Sequence, residues 1–275
     1  MHKSTLAIVS ASTVAAAALF HLRERSRLRT AKRLAAAALE TLLNAVDAND
    51  SETGAHARRV ANYALILADA AELTEREGRN IERVALFHDI GKIHEALFDI
   101  IHDEHALSPR ERVEIATHPA RGAKVLSPLN GFYPELPEGV LSHHERWDGT
   151  GYPRKLKGSA IPLSARVVAI ADTFDAITHH RRYSDGRSAL FAREVILQGR
   201  GTQFDPDLVD LFDLPPVFER ILEVEQLTSK WKLPIKARRT GTQEHQVPDV
   251  TFRWRVGRSG ARGRPASDQP RQTVR

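Results

Sequence analysis

The chain has 275 residues, 41% of them hydrophobic, enough for one sizeable folded body with appendages. It contains no cysteine, which excludes disulfides, zinc–thiolate sites and a cysteine nucleophile; any metal must be held by nitrogen and oxygen. The net charge of +5 sits at one end: 12 of the 40 Lys/Arg but only 3 of the 35 Asp/Glu lie from Ser229 onward. The preceding chain is therefore net acidic, and the basic balance describes the tail.

In chain order, Leu6 to Phe20 is an apolar stretch, followed by Arg23, Arg25, Arg27 and Arg29. About 15 residues is short of the roughly 20 a membrane span needs. The arginines nevertheless fit the positive-inside rule. Residues 1–28 are read as a membrane anchor that tethers a cytoplasmic body to the inner membrane. A cleaved export signal and a buried or interfacial helix are the alternatives. Residues 29–50 contain TAKRLAAAALETLLNAVD, good helix material on propensity, and are read as a helical linker.

The body, residues 51–228, carries helical spacing at Val60, Tyr63, Ala64, Ile66 and Leu67. Further helices are predicted over Asn80–His88 and Ser108–His118, the latter opened by a cap, a proline and a carboxylate in Ser108-Pro109-Arg110-Glu111. Leu126 to Gly139, with three prolines and two glycines, reads as a loop. Val140–Glu145 resumes as helix, Leu156–Pro162 is a loop, Ala165–Ala176 is apolar, and a late helix starts near Asp205-Pro206-Asp207. No stretch alternates with period two, so the fold class is all-α. Residues 229–275 are rich in Arg, Gly, Gln, Pro and Ser and are expected to be disordered.

Two clusters carry the chemistry. His143-His144-Glu145-Arg146-Trp147-Asp148-Gly149-Thr150-Gly151-Tyr152-Pro153 joins paired imidazoles to a Gly-rich turn, and His88-Asp89-Ile90-Gly91-Lys92 stands about 55 residues upstream. Imidazole with carboxylate holds divalent transition metals, and a lysine suits phosphate. The pairing points to metal-dependent phosphoester hydrolysis. In the turn, Gly149 and Gly151 permit positive φ and close backbone approach, and Pro153 stiffens the exit.

HDIGK followed by HHERWDGTGYP resembles the HD-GYP proteins, a branch of the HD metal-dependent phosphohydrolase superfamily. The resemblance runs from Ser51 to Phe212, about three-fifths of the chain. It implies a helical HD bundle with two or three divalent ions, iron or manganese. The implied ligands are Glu52, His56, His88, Asp89, His118, His143, His144 and Asp172. Glu52 matches an extra glutamate that helps hold a third ion in some members, and equally fits an ordinary first-turn residue. Lys92 and Asp89 are the catalytic candidates; Lys92, Arg181 and Tyr152 are the substrate-binding ones. Asp175 is expected to orient a histidine ring or a helix end.

The implied reaction is hydrolysis of cyclic di-GMP to pGpG or GMP in bacterial second-messenger signalling. Another cyclic dinucleotide or nucleotide as substrate, and a catalytically silent nucleotide sensor, are the alternatives. A homodimer and membrane contact through the N-terminus are the expected associations; no specific nucleic acid polymer is expected. Two segments depart from the family pattern. After Lys92 the chain reads Ile93-His94-Glu95-Ala96, without the Lys-Pro-Gly-like stretch, and His94, His102 and His105 match no ligand position. Further on, His180-Arg181-Arg182-Tyr183-Ser184 keeps the arginine but not the later basic residue.

Overall fold

The computed structural model describes residues 2–93, 108–179 and 186–229. Among these the secondary structure is helical, and the only β feature is an isolated bridge between Arg200 and Phe204. The helices are α1 (His2–Asn49), α2 (Ser51–Ala70), α3 (Glu75–Phe87), α4 (Pro109–Ile115), α5 (His118–Leu126), α6 (Glu135–Ser142), α7 (Leu163–Thr178), α8 (Ala189–Gln198), α9 (Pro206–Asp213) and α10 (Pro215–Ser229). The basic tail expected to be disordered lies outside the described residues from 230 onward, as do Arg181 and the unassigned His94, His102 and His105.

The expected anchor and linker are one continuous helix of 48 residues, α1. Among the described residues no helix is long and apolar enough to cross a membrane. The apolar run is too short and is closed by arginines, so the anchor reading finds no support. Nor is the linker separate from the body. Ala35, Leu39 and Val46 are buried, and α1 packs on α2, while Leu19, Phe20, Leu22, Leu28 and Leu34 are exposed.

Helix α2 runs through the middle of the body, packed by α1, α3, α7 and α10. That position explains why its buried residues continue without a polar face from Val60 through Ala68, apart from the half-buried Asn62. Tyr63 meets Phe174 of α7 edge-on at 5.1 Å, and Phe174 in turn contacts Phe212 and Phe218. This aromatic cluster fixes α7 against α2 and thereby places Asp172 and Asp175, which flank Phe174, beside the start of α2.

Several predicted boundaries shift, each for a local reason. Helix α3 starts earlier than Asn80, because Thr74 and Glu77 form a reciprocal capping box. The expected Ser108–His118 helix keeps its predicted capping box between Ser108 and Glu111 but ends at Ile115, and α5 starts afresh at His118 with a proline in its first turn. The end of the expected loop, from Glu135 to Gly139, is already helix α6, because Pro137 lies in the first turn, where its missing N–H costs nothing. Helix α6 then ends at Ser142, so the histidine pair follows the helix rather than lying within it. Asp205 caps α9 by accepting from the Asp207 N–H.

Candidate metal centre

Three histidines sit where helices end. His88 follows α3, His143 follows α6, and His118 stands three residues beyond the last residue of α4. The last carbonyls of a helix have no partner in the helix itself. Each ring uses one: His88 Nδ1 donates to the Ala85 carbonyl at 2.8 Å, His118 Nδ1 to Ile115 at 2.7 Å, and His143 Nδ1 to Val140 at 2.7 Å. The carbonyl partner assigns the tautomer, leaving Nε2 as a lone pair aimed inward. His56, inside α2, does it differently. Its Nδ1 lies 2.6 Å from Asp175 Oδ2, a carboxylate delivered by α7.

The inward nitrogens converge in two groups of three donors: His56, His88 and Asp172, and His118, His143 and His144. Within each group the ligand atoms lie within 4.8 Å of one another. His56 Nε2 stands 3.3 Å from His88 Nε2 and 3.3 Å from Asp172 Oδ1. In the other group His118 Nε2 and His143 Nε2 are 3.1 Å apart. Asp89 lies between the groups, with Oδ2 3.5 Å from His88 and Oδ1 3.3 Å from His118. That Oδ1 is buried and has no hydrogen bond.

This donor set fits divalent ions. With both Nδ1 atoms spent on carbonyls, His118 and His143 turn lone pairs toward each other, a contact that needs a proton or a cation between them. The unpaired Asp89 oxygen makes the same demand, because a buried carboxylate oxygen without a partner is costly. Nitrogen and oxygen donors without thiolate suit first-row divalent ions.

The electrostatics differ between the groups. Burial, reinforced by neighbouring imidazoles, holds the His143 ring well below its ordinary value; burial also lowers His88 and brings His144 to about 4. Those rings are kept neutral, the form that binds metal. Burial opposes charge on His56 too, but hydrogen bonds and charges of Asp172 and Asp175 outweigh it and raise the ring to about 9. Burial likewise opposes ionisation of Asp89, yet Lys92, His88 and His118 hold its carboxyl well below the usual range.

Lys92 stands on a 3-10 turn, and its Nζ contacts Asp89 Oδ2 at 2.6 Å. Tyr152 stacks on His144 with ring centroids 5.0 Å apart. Gly149 adopts a φ of 85°, and a Cβ on Gly151 would lie 2.3 Å from the Arg146 nitrogen, so both glycines are required by the turn. Asp148 caps its own turn, accepting from the Thr150 N–H and hydroxyl.

Glu52 is exposed in the first turn of α2, where its N–H donates to Asp50, and it joins neither donor group. Two contributors lie beyond the sequence reading. Glu145 is buried and accepts from the Arg154 and Leu156 N–H groups at 2.7 and 3.0 Å, stapling the loop that carries Tyr152. Arg59 grips Asp175 with Nε at 2.7 Å and a terminal guanidinium nitrogen at 2.9 Å. An acidic residue next to paired histidines, and an arginine three residues after His56, were the available signals.

Comparison with known proteins supplies the family. A family model described as HD domain matches residues 40–208, more than half of the chain. The chain belongs to the HD domain family. Among curated HD relatives, it is 38% identical over 172 residues to a Vibrio cholerae protein named 3′3′-cGAMP-specific phosphodiesterase 2, covering 62% of this chain and 33% of that one. It is 37% identical over 178 residues to the cyclic di-GMP phosphodiesterase response regulator RpfG of Xanthomonas campestris, covering 62% and 46%. The chain thus spans less than half the length of these HD relatives. A solved cyclic GMP-AMP-specific phosphodiesterase of V. cholerae aligns with a TM-score of 0.46 at 24% identity, covering 63% of this chain and 48% of that one.

Proposed function

We propose that this HD protein is a metal-dependent phosphodiesterase that opens cyclic di-GMP to pGpG or onward to GMP. His56, His88 and Asp172 hold one divalent ion, His118, His143 and His144 hold another, and Asp89 is shared. The observation that carries the reading is this convergence of inward-facing imidazole nitrogens and carboxylate oxygens in two groups on either side of one buried carboxylate. Iron or manganese fits the donors. A third ion would need Glu52 to leave its exposed first-turn position, so two is the working number.

The ions supply Lewis acidity toward phosphate and an activated water. The remaining work belongs to the chain. Backbone-anchored imidazoles hold their Nε2 atoms in place before substrate arrives, so little reorganisation accompanies reaction. Lys92, beside Asp89 and partly exposed, offsets charge on the non-bridging phosphate oxygens. Tyr152, against His144, forms a wall for the substrate. Arg181 is assigned to phosphate by the sequence resemblance alone.

A second substrate, 3′3′-cGAMP, is favoured by the relative at 38% identity that carries that specificity in its name. The test is turnover by the purified full chain, kept anaerobic and supplied with iron(II) or manganese(II), against each cyclic dinucleotide separately. Products are resolved chromatographically, with a His88→Ala/Asp89→Ala double variant as control. Metal-dependent linear product that disappears in the control is the expected result. Bound metal without product from either substrate would overturn both cyclic dinucleotide assignments and move the reading to another nucleotide; no product and no bound metal would leave a silent nucleotide sensor.

A further inference from the structure

We infer that Asp175 and Arg59 are a positioning pair for His56, so that one metal pocket depends on a carboxylate lent by a second helix while the other depends on backbone carbonyls. This rests on the two-pocket reading above. His88, His118 and His143 each find a free carbonyl because they sit at or beyond helix ends. His56 cannot. It lies inside α2, where the carbonyls one turn back already accept from the helix's own N–H groups. Without an external acceptor its Nδ1–H would be buried and unpaired, and the ring would be free to turn.

Asp175 supplies that acceptor at 2.6 Å and is itself 1% exposed. A carboxylate so buried persists only with its other lone pairs engaged. Arg59 engages both oxygens, at 2.7 and 2.9 Å, and His179 Nδ1 stands 3.2 Å from Oδ1. Arg59 follows His56 by three residues on the same face of α2, so one helix presents both the ring and the clamp. Asp175 belongs to neither donor group; it acts through His56.

The test compares the full chain with Asp175→Ala, Asp175→Asn and Arg59→Ala. Each is loaded with cobalt(II), and ions per chain, affinity and the visible cobalt spectrum are recorded alongside circular dichroism. The wild type is expected to take up two ions. Asp175→Ala should weaken one of them by about 10–100-fold and lose one spectral component, leaving the other intact. Asp175→Asn keeps an oxygen to accept from Nδ1–H and should restore most of that loss; Arg59→Ala should fall between.

Folded Asp175→Ala binding two ions with wild-type affinity and spectrum would overturn the inference. So would Asp175→Asn performing no better than Asp175→Ala. Should Asp175→Ala fail to fold, wild-type binding in both Asp175→Asn and Arg59→Ala would overturn it, whereas selective weakening in Arg59→Ala with less in Asp175→Asn would support it. A wild type that binds no cobalt would sink the two-pocket reading itself, a distinct outcome.

Discussion

The two donor groups have the same number of ligands but opposite electrical characters. The group of His118, His143 and His144 is all imidazole, and burial keeps His143 and His144 neutral. The group of His56, His88 and Asp172 has two aspartates close to His56, and they raise that ring to about 9. In metal-free protein His143 and His144 are therefore neutral, whereas His56 holds a proton. An ion entering the second has to displace that proton, whereas an ion entering the first meets none on His143 or His144. The lesson is that ligand identity alone does not define a site: the atom behind each ring, carbonyl or carboxylate, sets what the ring holds when metal is absent.

The largest effect should come from the residue both groups share. Asp89→Ala is expected to abolish turnover and to reduce ion content in both pockets, measured by elemental analysis of the gel-filtered protein. Retention of two ions would show that Asp89 does not bridge. Lys92→Ala should leave ion content at the wild-type value while kcat drops by about 10²–10³-fold, the usual range for losing one preorganised charge. Loss of metal in that variant would move Lys92 from substrate to site assembly.

A smaller effect should separate the loop from the ligands. Glu145→Ala leaves the Arg154 and Leu156 N–H groups without their acceptor and should cost about 1–3 kcal/mol. Melting of the variant, and faster hydrogen exchange across residues 146–156, would check it. The His56 pocket should still bind its ion. If both pockets failed together, the loop and the whole centre would be one unit.

The last effect, a change in slope rather than a loss of function, concerns the chelated protein and distinguishes the pockets by sign. His56 is raised in the folded state, so its contribution is present below the unfolded value of 6.5 and fades as pH rises toward 9. His144 is lowered to about 4, so its charging penalises folding as pH falls from 6.5 toward 4. Each slope is at most about 1.4 kcal/mol per pH unit. Urea melts of metal-free protein should show highest stability near the middle, with the alkaline arm lost in Asp175→Asn and the acid arm retained.

Four members of the donor cluster, His88, Asp89, His143 and His144, were legible because they stand in short motifs, HDIGK and HHERWDGTGYP, that need no tertiary contact to recognise. The all-helical class followed from periodicity, and the Ser108 cap from local hydrogen-bonding chemistry. What escaped depends on distance in the chain or on competition between signals. Asp175 was expected to orient a ring, but its pairing with Arg59 spans 116 residues, and that distance hid the arginine's part. Helix α6 was hidden by Pro134 and Pro137, which look like loop residues unless one knows they fall before and within a first turn. The Leu6–Phe20 stretch was read as an anchor separate from the body, and its helix runs unbroken into the Ala35, Leu39 and Val46 contacts with the body.

The most direct test of the account is anomalous diffraction from crystals of the full chain grown with manganese(II). Two peaks are predicted, one between His56, His88 and Asp172 and one between His118, His143 and His144, with an oxygen of Asp89 reaching each. A single peak, or density that leaves either triad empty, would contradict the shared-carboxylate centre on which the proposed function stands.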